Sequence, residues 1–251
     1  KKGIIHFTSG KPEMIRRGFL DDVDIAFMVH VSPRQQENPS LRFGFVDGHN
    51  GVVRKKTTFI GKAAHAGAHP HLGINALNTA STAITTINSL RETFKESEKV
   101  RIHSILTKAG DAVNAVPDTV VMESYVRSSS VQALKNANLK VNRVIASVAS
   151  AFGANARIED YAGSEAMLDD INLINTAKEV VDEMFGEGKY FHDDFSAAST
   201  DMGDVSVLVP AIHAYACGAI GTTHGKDYFI KDPVNACVDS AKFQVELLRK
   251  L

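Results

Sequence analysis

Apolar positions divide the chain into three textures. Near the start, Gly3–Phe7 and Ile25-Ala-Phe-Met-Val29 are short continuous apolar runs, which predict strands buried on both faces. Between them, Pro12–Gly18 predicts a short helix, with proline near its start and glycine just past its end. The second run ends on His30, and Ser32–Ser40, holding Pro33 and Pro39, predicts a loop.

From Arg54 the period changes. Arg54–Ala63 alternates as a half-exposed strand does. Ile74, Leu77, Ile84, Ile87, Leu90 and Phe94 then follow at helical spacing. Val100–Thr107 and Thr119–Val126 predict two strands, and Leu134, Val141, Ile145, Val148 and Phe152 form the stripe of a helix that stops at Gly153. Ala156–Tyr161 predicts one more short strand. The order β-α-β-β-α-β is the ferredoxin-like arrangement. Beyond Gly163 the α/β texture returns. Asp170–Phe185 predicts a helix with an Asp cap, and Ser196–Asp204 a polar loop that leads into a helix. Ala211–Tyr215 predicts a strand, Gly218–Gly225 a Gly- and Thr-rich loop, and Pro233–Lys250 a closing helix bearing Val238, Phe243 and Leu247. The expected architecture is an α/β domain split into residues 1–53 and 163–251, with a ferredoxin-like domain inserted at 54–162.

Composition narrows the function classes. The 251 residues are 44% hydrophobic and 23% charged, ordinary for a soluble globular chain. A net charge of −1 provides no field for nucleic acid or anionic membrane, and no apolar run approaches a membrane span. Cys217 and Cys237 form no metal pattern and read as reduced thiols, which fits a cytoplasmic compartment.

The chemistry-bearing residues lie on Gly-, Pro- or strand-end positions. Gly61-Lys-Ala-Ala-His-Ala-Gly-Ala-His-Pro-His-Leu-Gly-Ile-Asn-Ala-Leu77 crowds His65, His69 and His71 onto a Gly-rich connection between strand and helix, where imidazole and backbone can both approach a ligand. His30 and His224 come from the two halves of the split domain, and two imidazoles meeting in one cleft suit a zinc-like ion. His65, Asn114 and Arg127 carry the groups that hold an oxyanion or a carboxylate. Taken singly, Asn114-Ala-Val-Pro-Asp118 also reads as a plain turn and Arg127 as a solvated strand end.

Together these stretches resemble a known family. Gly61–Pro70 with Gly73-Ile-Asn-Ala-Leu77, Asn114-Ala-Val-Pro117, Val126-Arg127, Phe27-Met-Val-His30, Ser199-Thr-Asp201 and Thr223-His224 are similar to motifs of the zinc-dependent amidohydrolases and peptidases. That family includes glutamate carboxypeptidase, aminoacylase, aminobenzoyl-glutamate hydrolase and the auxin-conjugate hydrolases. The resemblance implies a zinc-peptidase-like catalytic domain holding two metal ions (zinc, or manganese or cobalt) and an inserted lid domain that forms a homodimer. It implies that His30 and His224 are metal ligands. His65 would stabilise the oxyanion at the partner's active site, and Asn114 and Arg127 would hold the substrate. The implied substrates are N-acyl amino acids, aminobenzoyl-glutamate-like compounds or short peptides.

The chain also departs from that family. A Cys-Gly-His-Asp-x-His type segment and a Glu-Glu pair are absent, and where the pair is expected the chain reads Phe7-Thr-Ser-Gly-Lys-Pro-Glu-Met14. Glu13 lies too far into the following helix to serve as the general base. The expectation is a stretch of an active enzyme lacking those residues. The alternative is a non-catalytic dimerisation or ligand-binding relative with an incomplete metal site.

Overall fold

The computed structural model describes residues 6, 7 and 9–251, and the strand expected over residues 3–7 lies largely outside them. Helix α1 (Gly10–Arg16) is followed by strands β1 (Ala26–Ser32), β2 (Phe43–Val46), β3 (Gly48–His49) and β4 (Gly51–Ile60). Then come α2 (Ala76–Ser89), β5 (Arg101–Lys108), β6 (Thr119–Ser128), α3 (Val131–Ala151), β7 (Asn155–Ser164) and β8 (Met167–Leu168). The chain continues through α4 (Ile171–Phe185), β9 (Tyr190–Asp193), α5 (Met202–Ser206), β10 (Ala211–Cys217), the short pair β11 (Ala219–Ile220) and β12 (Phe229–Ile230), and α6 (Ser240–Lys250). It divides into two units: one takes the chain up to His49 and again from Met167 to Leu251, the other is Asn50–Ala166.

In the first unit the sheet runs β1-β10-β2-β9. β1 lies parallel to β10 and β9 parallel to β2, while β10 and β2 are antiparallel. Helices α4 and α6 cover one face, where Phe43, Phe45, Ile174, Val181, Phe243 and Leu247 close a core. A smaller cluster of Met167, Met202, Val205 and Ala211 includes Met28 and lies on the side of α5. Asp170 caps α4 as expected, its Oδ1 accepting from the backbone N–H of Asn172 (2.9 Å) and Leu173 (3.0 Å).

Several expectations need correction. His30 lies inside β1 rather than at its end. The closing helix opens with a π-helical turn, Val234–Asp239, and Val238 is 48% exposed instead of packing inward. Strands β2 and β9 carry no alternation, and no pattern in the sequence announces them. Gly44 belongs to β2 because a Cβ there would sit 2.0 Å from the Phe191 ring.

The second unit is one antiparallel sheet of order β5-β6-β4-β7 with α2 and α3 on one face, the ferredoxin-like arrangement. Phe59, Val120, Met122 and Val126 meet Ala80, Ile87, Val141 and Ile145 in its core. Lys55 points to this covered face and is 2% exposed. Its ammonium is held by Asp160 and, at 2.6 Å, by Oδ1 of Asn142. Burial pushes the Lys55 pKa down and its pairing with Asp160 offsets part of that push. Burial alone would raise the Asp160 pKa, but hydrogen bonds from Lys55, Asn138 and Asn142 bring it below its ordinary value. Asp160→Ala, which leaves a buried charge without its carboxylate, is expected to cost about 2–3 kcal/mol, below the full buried-pair range because Asp160 is partly exposed. Lys55→Met is expected to be near neutral. Urea denaturation of both variants checks this, and equal losses would contradict it.

Candidate functional site

The β1–β10 ladder builds the floor of a cleft in the first unit. Its register sets Met28 beside His213 and His30 beside Tyr215. Side chains alternate along a strand, so His30, His213 and Tyr215 share one face. They line a cleft of about 570 Å³, with Arg34 and Asp193 on its wall and His224 at its loop side. His224 has φ of +66°, a left-handed conformation uncommon for histidine. The loop is fixed by Asp227, whose Oδ2 accepts from Thr222 N–H at 2.9 Å, and by Gly221 N–H donating to Gln36 Oε1 at 2.9 Å. Tyr228 O–H donates to the carbonyl of Val31 at 3.2 Å, which ties this loop to β1. The two expected metal ligands, His30 and His224, therefore line the same cleft. Among the described residues, however, no group of three or more His, Cys, Asp or Glu side chains is placed to hold a metal ion.

Sequence reasoning missed the network that ties this floor together. His49, for which the sequence suggests no more than a structural or surface place, is 1% exposed, and its Nε2 lies 2.8 Å from the Tyr215 hydroxyl. Its Nδ1 lies 3.5 Å from Asp169, whose other oxygen accepts the backbone N–H of His213 at 2.5 Å. The available signal was polar residues two apart on one face of an apolar strand, Ala211-Ile-His-Ala-Tyr215. Burial raises the Asp169 carboxyl and pushes the Tyr215 hydroxyl up to about 12, so the tyrosine stays protonated. Burial, helped by the nearby His49, His30 and Lys11, lowers His213 from 6.5 to about 3.

Glu13 is committed elsewhere. Its carboxylate takes hydrogen bonds from Arg16, Arg17 and the backbone of His6, and the Arg16 guanidinium foremost holds its pKa well below the usual range. Such a carboxylate is a weak base, in keeping with its exclusion above. Asp201, from the Ser199-Thr-Asp201 motif, receives the Lys11 ammonium at 2.6 Å.

In the second unit, His65 sits on a loop paired like a short strand with the Asn114 turn. Ala66 N–H donates to the Asn114 carbonyl and Val116 N–H to the Ala64 carbonyl, both at 2.9 Å. His65 and Asn114 are thereby neighbours, both exposed. Nδ1 of His65 accepts from the backbone N–H of Gly67 (3.2 Å) and Ala68 (3.0 Å), so the neutral ring carries its proton on Nε2. The glycines of this motif serve packing: a Cβ on Gly61 would lie 2.1 Å from the Ile74 carbonyl oxygen. Asn75 is the cap of α2, accepting from Leu77 and Asn78. His69 and His71 are exposed loop residues. Arg127 lies on the open face of the sheet, its guanidinium 5.5 Å from the centre of the Tyr125 ring.

Residues 47–153 match the peptidase dimerisation domain family. The Xaa-Arg dipeptidase of Mus musculus is 31% identical over 229 residues, 87% of this chain and 49% of that protein. A p-aminobenzoyl-glutamate hydrolase homolog of Haemophilus influenzae is 23% identical, over 68% of this chain and 40% of its own length. A Bacillus subtilis protein solved as a dinuclear metal binding peptidase of the M20 family superposes with a TM-score of 0.69 at 18% identity, covering 95% of this chain and 60% of that one. The fold is that of the M20 peptidases and amidohydrolases, and this chain is a relative of theirs that carries their dimerisation domain. It spans about half the length of the curated relatives it matches. Among the described residues no helix is long and apolar enough to cross a membrane.

The buried His213 carries a pH signature. Its folded pKa lies below the unfolded value, so its contribution to stability is complete above pH 6.5 and is lost as pH falls toward 3. The loss approaches about 1.4 kcal/mol per pH unit in that window. The rise at Asp169 works in the opposite direction. His213→Phe is expected to flatten the acid limb of stability measured by urea unfolding at several pH values, and an unchanged slope would count against this assignment.

Proposed function

We propose that the protein to which this chain belongs hydrolyses an amide bond next to a free carboxylate, in N-acyl amino acids, aminobenzoyl-glutamate-like compounds or short peptides. The observation that carries this reading is the His65 ring, fixed by two backbone donors as an Nε2–H donor inside a peptidase dimerisation domain. A neutral N–H held in place suits the negative charge that develops on a carbonyl oxygen during attack. In a homodimer formed through this domain, His65 of one subunit would serve the substrate held by the other, with Asn114 and Arg127 binding its terminal carboxylate or the tetrahedral intermediate. His30 and His224 would supply two imidazoles to a zinc-like ion, with manganese or cobalt as alternatives. Two imidazoles do not hold such an ion alone, and the remaining ligands and the general base would come from residues outside this stretch.

A second reading is a non-catalytic dimerisation or ligand-binding relative, favoured by the lack of a three-ligand cluster among the described residues. Elemental analysis of the longer protein separates the two, since about two bound metals per chain support the enzyme and none supports the binding module. In the enzyme, a panel of N-acyl amino acids and dipeptides, Xaa-Arg dipeptides first, is expected to reveal a substrate. His65→Ala is expected to lower kcat by about a hundredfold or more, with a smaller change in KM. A metal-loaded protein inactive across the panel, or a His65→Ala variant of unchanged kcat, would overturn the enzymatic reading.

A further inference from the structure

On the open face of the second unit's sheet, three side chains meet around one tyrosine. β6 alternates, so Glu123, Tyr125 and Arg127 share that face while Met122, Ser124 and Val126 are buried. The register sets Arg54 of β4 and His103 of β5 directly across from Tyr125. The Arg127 guanidinium lies 5.5 Å from the centre of its ring and the Arg54 guanidinium 5.9 Å. His103 meets the ring edge-on at 5.5 Å and 65°. Arg54 and Arg127 are thus diagonal neighbours, close enough for their like charges to repel, and the Tyr125 ring is an attractive partner that both share. Burial, foremost, and the charge of Arg54 push the Arg127 pKa down, while Tyr125 works against them. Burial and the Arg127 charge lower His103 as well, so this imidazole stays neutral near pH 7 and adds no third cation. Arg101, across from Arg127, is turned aside, its Nη1 donating to the Val100 carbonyl at 3.0 Å. Nε of Arg54 and Nε of Arg127 are both buried, which leaves their terminal nitrogens to meet a ligand.

We propose that Tyr125 is a positioning residue whose ring holds Arg54 beside Arg127, so that one carboxylate of the substrate meets two guanidiniums. A planar guanidinium suits this role because it offers parallel N–H groups to a carboxylate, and a stacked one loses little freedom on binding. The bound anion also relieves the repulsion that the two cations carry without it. The inference rests on the amidohydrolase reading, in which Arg127 holds the substrate, and adds to it a second arginine and the ring that sets both in place.

The test uses the 251-residue chain labelled with ¹⁵N, the guanidinium signals of the two arginines being those missing from Arg54→Leu and Arg127→Leu. N-acetylglycine is expected to shift both sets of signals, and its N-methylamide, which lacks the carboxylate, to shift neither. Tyr125→Leu and Arg54→Leu are each expected to bind N-acetylglycine about fivefold more weakly, and Tyr125→Phe, which keeps the ring, to bind it as the parent chain does. Arg54→Leu decides the matter if Tyr125→Leu does not fold. Unchanged affinity in Tyr125→Leu, or an equal loss in Tyr125→Phe, would overturn the positioning role and leave the carboxylate to Arg127 without it. Arginine signals that stay put would overturn the paired site altogether. None of these readouts needs turnover, so a missing hydrolytic activity would count against the amidohydrolase reading alone. In an active enzyme, Tyr125→Leu is expected to raise KM by about the same factor with kcat nearly unchanged, since the lost interaction is one of binding.

Discussion

The parallel ladder between Ala26–Ser32 and Ala211–Cys217 is the constraint on which the first unit depends. It joins an early strand to a late one across the whole second unit, so the chain must return to the sheet after completing a separate fold. Parallel strands require such crossovers, and they tolerate very long ones when the inserted segment folds on its own core. The ladder's register sets His30 beside Tyr215 and leaves His213 one pleat away on the same face. A slip of β10 by one residue would send His213 and Tyr215 toward the apolar α4–α6 core. The cleft is therefore a product of register first and of local sequence second.

The second unit positions its polar residues differently. His65 and Asn114 lie on loops, where precision is hard to achieve, and cross-loop backbone hydrogen bonds supply it. The two N–H groups that converge on His65 Nδ1 come from its own tight turn, so the ring's tautomer is fixed by covalent neighbours and not by a distant partner. Gly61, where a Cβ would meet the Ile74 carbonyl oxygen, lets the start of the motif pack closely against its end. What first reads as a histidine-rich ligand site is one oriented imidazole with its supporting backbone.

Most of the elements were legible because their cores are one-sided. Helices α2 and α3 keep a helical stripe, and the strands of the ferredoxin-like unit alternate, since one sheet face is covered and the other open. The hidden elements are those without a period: Phe43–Val46 is buried throughout, and Tyr190–Asp193 is a four-residue edge. In the same way, His30, His65, Asn114 and His224 stood out at punctuated positions, whereas His49 and Asp169 act through contacts with residues far along the chain. Those contacts exist only once the sheets have formed. His213 and Tyr215 were visible as polar residues on an apolar strand, but their stacking with His49 was not.

Lys55 gives the second unit a proofreading device. It is the one long cation on a strand face otherwise filled by Val53, Thr57 and Phe59, while Arg54 and Lys56 occupy the opposite face. Sliding β4 by a single residue would expose Phe59 and bury two cations away from Asp160 and Asn142. Misregistered assemblies of this sheet are thus penalised by charge as well as by lost apolar contact. A unit inserted between the two parts of another fold gains from such an unambiguous endpoint, because both of its ends must return to that fold.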